Sequence, residues 1–70
     1  MTQPHSVTAG PAATLGRSPL PELRRLVVEE TGTEIVLHGQ VSSYHFKQLA
    51  QEAVRRHLAG RTLRNLIRVT

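Results

Sequence analysis

From residue 26 onward, apolar and polar positions alternate with two periods, first that of strands and then that of a helix. Leu26-Val27-Val28-Glu29 and Glu34-Ile35-Val36-Leu37-His38-Gly39-Gln40-Val41 are β-branched runs joined by Glu30-Thr31-Gly32-Thr33. This spacing predicts a hairpin, with Gly32 available for a positive φ in its turn. In the second run Ile35, Leu37, Gly39 and Val41 share one face and Val36, His38 and Gln40 the other, so the first set is expected to face the core. Gly39 on that face leaves room for another element to come close.

Ser42 and Ser43 offer an N-cap, and residues 44 to 58 then follow a 3.6 period until Gly60. Phe46, Leu49, Ala50, Ala53, Val54, His57 and Leu58 form one stripe, which predicts an amphipathic helix lying on a sheet. Leu63 to Thr70 alternates again as a third strand, with Leu63, Asn65, Ile67 and Val69 inward and Arg64, Leu66 and Arg68 outward. A strand, a helix and a strand in succession favour a right-handed crossover between parallel strands. The expected fold class is therefore α+β, of order β-β-α-β, a small three-stranded mixed sheet with one amphipathic helix packed on one face.

The first 19 residues hold three prolines and two glycines among Thr, Ala and Ser, without either period, and are read as a disordered tail. Residues 20–70 are then the folded domain. Leu20 to Arg25 makes at most one helical turn, with Pro21 tolerated at its start. So small a core is marginal, and a chain without cysteine has neither a disulfide nor a thiolate metal site to reinforce it.

The order of elements, the segment Ile35-Val36-Leu37-His38-Gly39-Gln40-Val41-Ser42-Ser43, the helix with Lys47, Ala50 and Ala53, then Gly60 and Leu63-Arg64-Asn65-Leu66-Ile67-Arg68-Val69, together resemble the BON domain of bacterial osmotically inducible and nodulation proteins. The resemblance covers about two-thirds of the chain and describes a truncated variant that lacks a full first helix. It implies a non-catalytic module, usually envelope-associated, that binds phospholipid or mediates assembly. No signal-peptide pattern opens this chain, which gives a cytoplasmic expectation from the residues themselves.

Charge divides the domain. Residues 18 to 46 set Arg24 and Arg25 against Glu22, Glu29, Glu30 and Glu34, whereas residues 47 to 70 set Lys47 and five arginines against Glu52 alone. Arg55, Arg56, Arg61, Arg64 and Arg68 are therefore candidates for one basic surface patch, suited to anionic phospholipid or, less readily, nucleic acid. Only Tyr44 and Phe46 are aromatic, so no base-stacking platform is visible and nucleic acid is the weaker reading.

The chain has no aspartate and no phosphate-loop or nucleophile-elbow pattern, and so is not expected to be an enzyme or to carry a cofactor. His38, His45 and His57 do not fall where one metal would be shared, and no small-molecule substrate is indicated. Val27, Val36 and Leu66 on the outer sheet face, with Tyr44 on the helix, are the candidate interface. They point to a protein-interaction or self-association domain, hence to a homo-oligomer. Gly32, Gly39, Gly60 and Asn65 are read as structural.

Overall fold

The computed structural model of the protein describes residues 10–70. Residues 1–9, the first half of the expected tail, lie outside the described residues. The remainder of that tail is not a tail: Pro11–Gly16 form helix α1. Pro11 at the start supplies a pre-set φ, and Ala12 and Ala13 are strong helix formers. Six residues cannot hold a helix in water. Leu15 holds this one, because its side chain is 1 % exposed within the core. One large apolar residue in a single turn shows no periodicity, which hid the element.

Helix α2, Pro21–Arg24, is the single turn expected there; it carries Glu22 near its start, Arg24 near its end and Leu23 buried. Strand β1, Val27–Glu30, runs antiparallel to β2, Glu34–His38, with Val27 opposite His38 and Glu29 opposite Val36. The turn between them does not use Gly32 at a positive φ; among the described glycines only Gly39 and Gly60 have one. Thr31 does the work instead, its Oγ1 accepting from the N–H groups of Thr33 and Glu34. A side-chain oxygen that satisfies two turn amides removes the need for the left-handed region.

Strand β3, Gln40–Val41, follows β2 after an interruption at Gly39. Gly39 has φ 131°, and a Cβ there would stand 2.7 Å from Leu26 Cδ2. The close approach that Gly39 permits is thus made by Leu26, not by the helix. Helix α3, Tyr44–Arg55, is capped by Ser43, whose Oγ accepts from Phe46 N–H. It ends before Leu58, the expected limit, by tightened bonds from His57 to Val54 and from Leu58 to Arg55. Ala59 and Gly60, both at positive φ, then turn the chain back.

The third strand is also interrupted, into β4, Thr62–Asn65, and β5, Arg68–Val69. Sheet order is β1-β2-β4 with β4 parallel to β2, and β3 pairs with β5, also parallel. Asn65 accounts for the break on its side: its Oδ1 accepts from Ile67 N–H and its Nδ2 donates to Gln51 Oε1 of α3, so one inward amide ties strand, bend and helix. The domain is α+β with a small mixed three-stranded sheet. Its helical layer has three members, where one amphipathic helix and at most a single further turn were expected.

Leu15, Leu23, Ile35, Leu37, Val41, Ala50, Val54 and Ile67 form the core, with Phe46, Leu49, Leu58 and Leu63 against it. Val69, expected inward, is instead exposed, although its register partner Val41 is buried.

Candidate functional site

With α3 on the Ile35 and Leu37 side, strand parity turns Val27, Glu29, Glu34, Val36, His38, Arg64 and Leu66 to the opposite face. Register arranges them in rows across the sheet. One row is Glu29, Val36, Arg64; the next is Val27, His38, and Leu66, whose N–H donates to Leu37 O in continuation of the β2 pairing.

Of the expected interface residues, Val27 is 56 % and Leu66 45 % exposed, on either side of half-buried His38. Val36 departs from expectation. It is only 6 % exposed, although Leu20 and Leu23 pack into the core on the other side of the sheet and give it no cover. Its neighbours do the covering. Glu29 reaches diagonally to His38, Oε1 to Nε2 3.0 Å, and Arg64 reaches diagonally to Glu34 at 3.6 Å. Both residues flank the valine on the neighbouring strands, where long side chains shield an apolar neighbour with their aliphatic stems and keep their charged ends in water. Tyr44 does not belong to this face. It opens α3 in the helical layer, exposed, with its hydroxyl accepting from Gln48 Nε2.

The five arginines do not form one patch. Arg55, paired with Glu52 at 3.0 Å, and the exposed Arg56 lie at the C-terminal end of α3. Arg61 is occupied structurally: its Nε donates to Leu58 O at 2.9 Å, its Nη2 to His57 O at 2.8 Å, and its Nη1 meets Glu30 Oε1 at 3.0 Å. It thereby ties the turn that follows α3 to the end of β1. Arg64 lies beyond the sheet from α3, and Arg68 is exposed on β5, opposite Gln40 of β3. Clustering along the sequence concealed that a strand and a helix packed on it send alternate residues to opposite surfaces.

Two contacts had no sequence signal, since each joins distant segments. Glu22 grips Ser42, one carboxylate oxygen accepting from its N–H and the other from its hydroxyl at 2.6 Å, which fixes α2 beside the entry to α3. Chiefly the Ser42 hydroxyl and then the Ser42 amide hold the Glu22 carboxyl below its ordinary pKa, against an opposing effect of desolvation and with a lesser contribution from the charge of Arg25. His57 meets Thr14 of α1. Among the described residues no three His, Asp or Glu side chains gather as a metal would require, and no cavity is formed. No helix among them is long and apolar enough to cross a membrane.

No protein-family model, curated protein or solved structure matches the chain.

Proposed function

We propose that this chain is a non-catalytic assembly module, of the kind its BON-like order of elements implies, and that it self-associates through the outer face of its sheet. One observation carries the reading: all three helices lie on one side of the sheet, and the other side presents Val27 and Leu66 to water in one row. A core this small gains proportionately more from covering such surface than a large one does. The phospholipid reading needs a concentrated positive surface, and division of the arginines between α3, the Arg61 clasp and the far side of the sheet leaves it without that support.

Sedimentation velocity over a wide concentration range tests the proposal. The expected result is a concentration-dependent dimer that Leu66→Glu weakens and Gln40→Glu leaves nearly unchanged. A species that stays monomeric up to about millimolar, where even weak pairs associate, would overturn it.

A further inference from the structure

The charges on the outer face are sorted by strand, and the sorting selects a symmetry. Glu29 lies on β1 at one side of the face and Arg64 on β4 at the other, with Val36 between them; in the next row Val27 and Leu66 flank His38. The geometry points to a face-to-face pair of this chain related by a two-fold axis that runs along β2. This rests on the self-association proposed above.

Rotation about that axis exchanges the two sides of the sheet and keeps each row at its own level. Glu29 then meets Arg64 of the second copy, and Val27 meets Leu66. Val36 and His38 each face their own counterparts on the axis. Both rows become complementary at once, and two copies of one surface suffice, as an isologous contact demands. An axis across the strands does neither. It sets Glu29 on Glu29 and Arg64 on Arg64, or, displaced by one row, sets these charges on Val27 and Leu66.

Glu34, also on β2, is the one carboxylate that the preferred axis brings toward its own copy, and its pairing with Arg64 of the same chain offsets that repulsion. Sheets stacked in this way lie about 10 Å apart, with their strands within about 30° of each other. Three strands of four, five and four residues present a face well below the roughly 800 Å² per partner of a standard interface. The pair is therefore a weak, exchanging one, and its register rests on charge as much as on apolar contact.

The absence of cysteine makes the test clean, because an introduced thiol is unique. At about 10 Å the backbones are too far apart for a disulfide, so a short bis-maleimide is the probe. His38→Cys, on the axis, should be linked efficiently to itself, and Arg56→Cys, on the helical side, should not. A mixture of Val27→Cys and Leu66→Cys chains should link across more readily than either variant alone. Sedimentation supplies an independent reading: Glu29→Lys and Arg64→Glu should each weaken the dimer about tenfold, and the two changes in one chain should restore it.

A dimer that is lost in Leu66→Glu, yet is indifferent to both single charge reversals and is not linked at position 38, would overturn this symmetry and leave self-association standing. A chain that stays monomeric throughout would overturn both.

Discussion

Thr14 Oγ1 lies 2.7 Å from Nε2 of His57, joining helix α1 to the turn after α3 across 43 residues of sequence. The same hydroxyl is 3.3 Å from Gly10 O, so if it donates there, His57 supplies the proton of the shorter bond. Beside this pair Leu15 enters the core, and the two contacts make a six-residue helix a fixed part of the fold. Leu15→Ala should cost about 2–5 kcal/mol, as loss of a fully buried leucine does. Removal of residues 1–17 should cost at least as much. Urea titration followed by circular dichroism checks both, and a truncated chain as stable as the intact one would exclude α1 from the folded unit.

Leu37 and Arg55 test the assignment of faces. Leu37 is completely buried under α3, whereas the Arg55 side chain is 60 % exposed and pairs with Glu52. Leu37→Ala should destabilise by about 2–5 kcal/mol. Arg55→Ala should change stability by less than about 0.5 kcal/mol, since exposed pairs contribute little. Similar losses from the two in a denaturant titration would contradict the burial of β2.

Gly39 carries two independent constraints. Its φ of 131° is one that other residues adopt only under strain, and Leu26 occupies the space a Cβ needs. Gly39→Ala should therefore lower stability by about 1–3 kcal/mol or more. Adding Leu26→Ala relieves the clash but not the backbone strain, so the double variant should lose less than the sum of the two single losses yet remain less stable than Leu26→Ala alone. Thermal melts of the three variants would show it, and a fully tolerated Gly39→Ala would refute the conformation at the break between β2 and β3.

The Glu22 grip on Ser42 should appear in the pH dependence of stability. The folded carboxyl titrates below its ordinary value, so the unfolded chain binds its proton first as acid is added. Its stabilisation is then complete above the unfolded carboxylate range and is lost as pH falls through the folded value. Glu22→Gln should accordingly melt lower than the parent near neutral pH, with the gap narrowing toward pH 3. A gap that is constant or widens in acid would show that the carboxylate is not the stabilising form.

Much of the fold follows from local pattern. Period two places Ile35 and Leu37 on one side of β2 and His38 on the other, because successive strand residues alternate faces. Period 3.6 and the Ser43 cap define α3, and the strand-helix-strand order makes β2 and β4 parallel. The candidate outer face, Val27, Val36 and Leu66, follows from the same parity.

Tertiary contact decided the rest. Helix α1 exists because Leu15 finds a pocket among residues far along the chain, which a single turn with one leucine does not announce. Gly39 bends the second strand and Asn65 the last, although their alternation continues without a break through both bends. Val36 is covered by Glu29 and Arg64, whose positions beside it depend on strand register. Arg55, Arg61 and Arg64 are neighbours in sequence but part in space, since α3 lies on one face of the sheet and Arg64 points from the other. Sequence periodicity determines which side of its own element a residue takes; which elements meet, and therefore which surfaces remain open, is settled only when distant segments pack together.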